Sequence, residues 1–383
     1  MPVLSFYRFK RPSKTLLIIS CTAVLYNCAA PPTPGIGEAV NWSQLTGWQD
    51  DRHAESWSAL LRSCSKLDGR TAWVALCHAA DRISDPTDEE AREFYEHWFS
   101  AHGIYAQGGG RTGLITGYYV PLLSGSLEQT GQYRFPIYRR PEDLLTIELS
   151  GLYPELKGRR IRGRLSDNKV IPYYSRASLE SNPQLLRGYE MLWVDDPVAL
   201  FFLHVQGSGR IALPDGSVLG VGYADQNGHP YRSIGKELID MGELEKDEVN
   251  LFSIRNWLRD NPSRAAGLLD RNPSYVFFSE RPTPDEGVFG ALDVPLVAQR
   301  SIAVDPDVIP LGAPVWLETS LPTNSRPYQR LMMAQDTGGA IKGQIRADVF
   351  WGKGERAERM AGMMKQRGRL YVLLPRAQSE RSE

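Results

Sequence analysis

At 383 residues the chain is too long for one small core, and 42% hydrophobic with 23% charged residues is the make-up of an ordinary globular protein of two domains. With a formal net charge of −1, nothing suggests a nucleic-acid partner or a polybasic membrane surface. Nine tryptophans and 17 tyrosines are many for this length; aromatic faces suit stacking on sugars, although most are expected in cores and interfaces.

The N-terminus reads as an export signal. Arg8, Lys10, Arg11 and Lys14 precede an apolar run at 16–25, too short to span a bilayer, and Cys28 follows it before a Pro/Gly-rich stretch. Residues 1–28 are therefore a lipoprotein signal and 29–44 a linker, with Cys28 as the lipid acceptor. Asn27 stands where such sites usually carry a small residue. Ser20–Cys21 has the better local chemistry but a shorter apolar run before it, so Cys21 is the alternative. In the oxidising compartment that export implies, Cys64 and Cys77, with helical patterns on either side, read as a disulfide stapling two neighbouring helices; two buried free thiols are the alternative.

Residues 41–105 read as helical, with a capping box at Thr87 and Glu90 opening one helix. Past Gly108–Gly113 the texture turns to alternation, and strands are expected at 114–120, 134–138, 170–172 and 199–205. Helices follow at 233–241, 247–260 and 265–270. From Pro295 strands return at 297–304, 314–317, 330–334, 345–350 and 370–374, interrupted by one helix at 355–366. The pattern lacks βαβ alternation, which argues for a small barrel over a doubly wound sheet.

The chemistry concentrates in the C-terminal part, where AVDPDVIPLG is followed by AQDTGGAIKGQIRADVFWG. Residues 300–352 hold no histidine and no cysteine, so neither a histidine-based triad nor a zinc site can be built within them. Carboxylates remain: Asp305, Asp336 and Asp348. Asp348 lies in an alternating run among Ala347, Val349, Phe350 and Trp351, where loss of solvation raises a carboxyl pKa toward the range of a general acid. A second carboxylate in the same cleft, Asp336, would tune it; Asp336 and Asp305 are equally readable as braces for loops. Gly338 and Gly339 permit close backbone approach, and Lys342 either neutralises carboxylates or binds an anionic group. Gln206, Gly207 and Ser208, expected at the end of a buried strand, suit sugar hydroxyls and N-acetyl groups. Tyr118 and Tyr119 alternate on a strand, so only one of them can face a cleft. Tyr223, Asn227, Tyr231 and Ser233 are weaker candidates, and His78, His97, His204 and His229 lack partner spacing. No metal or cofactor is called for.

The three-aspartate block resembles that of the MltA family, the membrane-bound lytic murein transglycosylases. The segments ITGYYVPLL, YRFPIYRRP, FFLHVQGSGRI, GYADQNGHPYRSIGKELI and NPSYVFF are similar to that family in the same order, across most of 48–375. The resemblance implies a mainly β fold with flanking helices. A double-psi β-barrel domain would be built from 45–120 and 285–383, with a second β-rich domain, 121–284, inserted into it and a groove between them. It implies a lytic transglycosylase of peptidoglycan with Asp348 as its single acid and base, Asp336 and Asp305 in support, and glycan contacts from Tyr118, Gln206, Gly207, Ser208, Gly338, Gly339 and Lys342. A periplasmic lipoprotein of the outer membrane, acting on glycan strands beside other cell-wall enzymes, completes that expectation.

Three other readings compete. Asp336-Thr337-Gly338 spells the aspartic-protease tripeptide, but that chemistry needs two such aspartates and the chain has no second copy. A non-catalytic peptidoglycan-binding protein and a hydrolysing muramidase are the other two.

Overall fold

The computed structural model describes residues 33–156, 161–281 and 287–376. The expected signal segment, Cys28 and Cys21 lie outside the described residues, as do residues 29–32 of the expected linker. In chain order the elements are β1 (Gly35–Val40), α1 (Trp57–Leu67), α2 (Thr71–Asp81), α3 (Asp88–Trp98), β2 (Phe99–Tyr105), β3 (Gly113–Val120), β4 (Leu122–Ser126), β5 (Phe135–Tyr138), β6 (Leu145–Thr146), β7 (Arg162–Ser166) and β8 (Lys169–Ile171). They continue with α4 (Arg176–Ser181), β9 (Glu190–Val194), α5 (Pro197–Gln206), β10 (Ser208–Ala212), β11 (Val218–Gln226), α6 (Ile234–Asp240), α7 (Leu251–Asp260), α8 (Pro262–Leu269) and β12 (Val276–Arg281). The last are β13 (Ser301–Val304), β14 (Pro314–Ser320), β15 (Pro327–Asp336), β16 (Arg346–Lys353), α9 (Glu355–Met363) and β17 (Lys365–Pro375). The fold is mainly β with flanking helices.

Eight strands form one sheet in the order β1-β2-β17-β14-β15-β13-β16-β3, and the first residues of β17, Lys365–Gly368, pair again with β3. Six more form a second sheet, β12-β11-β10-β4-β9-β5, and β6, β7 and β8 make a small third one. A single residue, Pro121, separates β3 in the first sheet from β4 in the second.

Burial on both faces explains the apolar runs in the first sheet. Val315, Leu317, Met332, Ala334, Leu370 and Val372 point into its core, while Trp316, Leu331, Met333, Tyr371 and Leu373 point outward beneath α1–α3. Strands β3 and β16 are different. Ile115, Tyr119, Ala347, Val349 and Trp351 face the core, and Thr116, Tyr118, Asp348 and Phe350 alternate to the other side.

The helical layer is tied to the sheet by a buried ion pair. Arg300 donates from Nη1 and Nη2 to the two carboxylate oxygens of Asp51, at 2.7 and 3.0 Å, and Asp51 Oδ2 also accepts the Leu331 N–H at 2.9 Å. Arg300 is 1% exposed, and its Nη2 also donates to Glu55 Oε2 at 3.0 Å, so the buried guanidinium is held by two carboxylates. Cys64 and Cys77 are joined as a disulfide between α1 and α2. Thr87 and Glu90 make the expected reciprocal cap on α3.

Several expectations require correction. Residues 199–205 lie in α5 and are not a strand. Asp196 caps Val198 and Ala199, Pro197 takes the first helical position, and Gly207 closes the helix in the left-handed region. Leu200 through His204 are all buried, so no one-sided stripe betrays the helix. Gln206–Ser208 consequently sit at a helix C-terminus. The expected linker contains β1, which pairs with β2, and β2 itself falls at the end of the stretch read as helical. Strand β13 starts only at Ser301, because 297–300 form a turn with Gln299 at φ 61°. Helix α9 ends at Met363, where the pairing of β17 with β3 takes over.

Replacing Cys64 and Cys77 together by serine lowers stability by about 3 kcal/mol, the value for closing a loop of this length, as guanidinium denaturation of oxidised wild type and variant will measure. Asp51→Ala removes the buried partner of Arg300, leaves it only the partly exposed Glu55, and costs about 3 kcal/mol in the same measurement.

Candidate functional site

One large cleft of about 1340 Å³ is lined by both major sheets: β3, β16 and the loop after β15 on one side, and β10, β11 and β12 on the other. Asp348 lies in the first wall. It is in register with Thr116 on β3 and Ala303 on β13. Thr116 Oγ1 donates to Asp348 Oδ1 at 2.7 Å, and among the described residues Oδ2 accepts no hydrogen bond. Burial pushes the Asp348 carboxyl above the usual range, against the opposing pull of the Arg346 guanidinium and the Thr116 hydroxyl. One oxygen is thus held, the other is without a donor among the described residues, and the residue lines the cleft.

Asp336, at the end of β15, lines the same cleft but is fully engaged. Tyr118 Oη donates to Oδ2 at 2.8 Å, and the N–H groups of Ala291 and Thr337 donate to Oδ1 at 2.9 Å each. Burial still raises its pKa to about 6, with the nearby Asp348 charge adding to the shift and the three hydrogen bonds opposing it. The Tyr118 hydroxyl is pushed well above its ordinary range by burial and by the Asp336 charge, so it remains a donor. Its ring packs on Phe350 with centroids 5.1 Å apart.

Asp305 stands apart. It accepts from Lys342 Nζ at 3.0 Å, from the Gly343 N–H at 2.8 Å and from the Asp307 N–H at 3.3 Å. Burial opposes its ionisation, but those donors outweigh it and hold the pKa below the usual carboxylate range. Neither Asp305 nor Lys342 lines the cleft. The two close the far end of the loop that begins at Asp336 and carries Gly338 and Gly339, both of which do line it.

Tyr118 turns to the cleft and Tyr119 turns away, where its hydroxyl meets Glu358 at 2.8 Å and Arg255 at 3.1 Å. Gln206, Gly207 and Ser208 all line the cleft. Gln206 Oε1 accepts the Tyr119 N–H at 3.0 Å, so this side chain fastens the end of α5 to β3. Gly207 has φ 75°, a conformation that L side chains rarely adopt. Of the weaker candidates, Tyr223, Tyr231 and Ser233 line the cleft. Asn227 is instead a buried brace, donating to the carbonyls of Tyr174 and Pro273 at 2.8 Å. His204 is buried against Arg176, and burial holds it neutral. No group of three or more His, Cys, Asp or Glu that could hold a metal ion occurs among the described residues.

Sequence reasoning missed Thr116 and Arg346, the two groups that act on the Asp348 carboxyl. Thr116 was findable only through the pairing of two strands more than two hundred residues apart. Arg346 sits two residues from Asp348 on one strand, and the period of two was signal enough.

Family models match over 114–279, the MltA specific insert domain, and over 300–374, the 3D domain. The chain is 37% identical over 266 residues to the membrane-bound lytic murein transglycosylase A of Escherichia coli (strain K12), covering 68% of this chain and 65% of that protein's length. To the protein of the same name from Vibrio cholerae serotype O1 it is 31% identical over 380 residues, covering 94% of this chain and 95% of the other. Among solved structures, the membrane-bound lytic murein transglycosylase from Agrobacterium tumefaciens superposes with a TM-score of 0.79 at 32% identity, covering 91% of this chain and all of that one. E. coli MltA with bound chitohexaose superposes at 0.68 with 29% identity, over 92% and 97% of the two chains.

Asp336 binds its proton more tightly folded than unfolded, so its contribution to stability is present at low pH and is lost as pH rises from about 4 to about 6. Asp336→Asn removes that loss. The stability of the variant relative to wild type therefore climbs by about 2–3 kcal/mol across this window, measurable by urea titration at each pH.

Proposed function

The chain belongs to the MltA family, and from that premise we propose that it is a lytic transglycosylase of peptidoglycan whose single catalytic group is Asp348. The observation that carries this reading is the state of that carboxyl: raised by burial, held through one oxygen by Thr116, and placed in the lining of the cleft with no donor on the other among the described residues. The chitohexaose bound in the E. coli structure supports a β-1,4-linked glycan as the ligand class.

The reaction needs one acid. Asp348 donates its proton to the glycosidic oxygen between N-acetylmuramic acid and N-acetylglucosamine, and the C1–O bond breaks. The resulting carboxylate takes the proton of the muramyl C6 hydroxyl as that oxygen bonds to C1, which closes a 1,6-anhydro ring and restores the acid. Intramolecular attack removes the entropy of recruiting water. Asp336 holds Tyr118 and the start of the glycine loop in place. Asp305 is a brace for the same loop. Gly338 and Gly339 let backbone approach the sugar, and Tyr118 and Ser208 lie where they can contact it. This arrangement differs from a two-carboxylate hydrolase, in which a second free carboxylate activates water; Asp336, saturated by three donors, is ill suited to that task.

The ring of pairings β17-β14-β15-β13-β16-β3-β17 supports the double-psi barrel as catalytic domain, built from 45–120 and 285–383, with 121–284 inserted. The membrane-bound relatives support an envelope location through a lipid on Cys28, the action being cell-wall turnover. No helix among the described residues is long and apolar enough to cross a membrane.

Digestion of purified peptidoglycan, read by mass spectrometry, is expected to yield 1,6-anhydromuramyl ends; reducing muramic ends would identify a hydrolase instead. Asp348→Asn is expected to lower kcat by about 10³-fold or more. For wild type kcat/KM falls as pH rises through the raised Asp348 pKa, because the protonated form is the active one.

A further inference from the structure

The wall of the cleft opposite Asp348 carries a feature that cutting a neutral sugar chain does not use. Arg210 on β10, Gly220 on β11 and Arg281 on β12 are direct partners across three adjacent strands. Residues paired in this way share a face of the sheet, and all three line the cleft. The next row on that face is Ser208, Gly222 and Ser279. Two glycines therefore floor a furrow with an arginine on either bank. A Cβ at Gly222 would stand 2.7 Å from Arg281 Nε, so the missing side chain is what lets Arg281 lie across the strand.

Among the described residues, neither guanidinium is within ion-pair distance of a carboxylate, and Arg210 Nε is shielded from solvent without a hydrogen-bond partner. Arg281 makes one long contact, from Nη2 to the Tyr223 carbonyl at 3.4 Å. The acidic group it influences, Asp293, is already held by Lys66 at 2.8 Å. Neighbouring strands lie about 4.8 Å apart, so the two arginine backbones are about 10 Å from each other, the span of three residues of extended peptide.

Uncharged N-acetyl sugars do not call for two guanidinium groups on one wall; carboxylates do, because the planar fork binds them through paired N–H donors. Resting on the transglycosylase reading above, we propose that Arg210 and Arg281 bind carboxylates of the acidic peptide that branches from the muramyl lactyl group. The furrow between them would receive that branch while its glycan backbone lies against Asp348. The pair thereby selects peptide-bearing over peptide-free strands.

The experiment measures kcat/KM for wild type and for the double variant Arg210→Gln, Arg281→Gln on glycan strands with their peptides and on strands stripped of them. The ratio of the two values is expected to fall about tenfold in the variant, through KM, and to recover in part with lysine at both positions. Added salt should lower the wild-type ratio and leave the glutamine variant's alone. An unchanged ratio, or equal losses on both substrates without rescue by lysine, overturns the proposal. The same ratio is read without turnover by calorimetric binding of both strand types to the Asp348→Asn protein, with and without the arginine substitutions. Absence of anhydro products thus counts against the reaction and not against the arginine pair.

Discussion

The parallel pairing of β3 with β16 is the constraint from which the rest of the site follows. It sets Thr116 beside Asp348 and Tyr118 beside Phe350, and its alternation sends both of the first pair to the cleft while Ile115 and Ala347 go to the core. A slip of one residue would bury the carboxyl and expose the core. The hydrophobic core thus enforces the position of the polar site, which needs no separate device to fix it. Because only Pro121 separates β3 from β4, the strand that positions Asp348 also leads directly into the second sheet. Both walls of the cleft are thereby referred to one strand.

Three aspartates that look alike in sequence end in three electrostatic situations. Asp305 meets an ammonium and two backbone donors and stays an anion. Asp336 is equally well supplied with donors, yet burial and a like charge raise it to about 6. Asp348 has a single hydroxyl donor and is raised as well. What separates a brace from an acid is the number of donors set against the desolvation, together with one oxygen left without a donor among the described residues.

Legibility in the sequence followed the range of the interaction. The cap at Thr87, the disulfide and the alternation around Asp348 are local, and each was readable. Helix α5 was misread because Leu200–His204 are buried on every side, which erases the periodicity that distinguishes helix from strand. Lys342 was readable as a partner of carboxylates; that its partner is Asp305 and not a ligand depends on how the loop folds back. The Arg300–Asp51 pair joins residues 249 positions apart, and the row of Arg210, Gly220 and Arg281 exists only after three strands are laid side by side. No composition or spacing rule reaches such contacts. The ladder of the fold is what computes them.

The loop between β15 and β16 has a thermodynamic consequence beyond geometry. Asp336 grips its start through the Thr337 N–H and Asp305 grips its end through Gly343 and Lys342. A stretch with two glycines in a row, which should be among the floppiest in the chain, is clamped at both ends before any ligand arrives. Its disorder has been given up during folding, so a sugar that settles on Gly338 and Gly339 meets backbone whose entropy is already spent. Loosening either clamp would then surface as a less favourable entropy of association, with the enthalpy of the contacts themselves left nearly as it was.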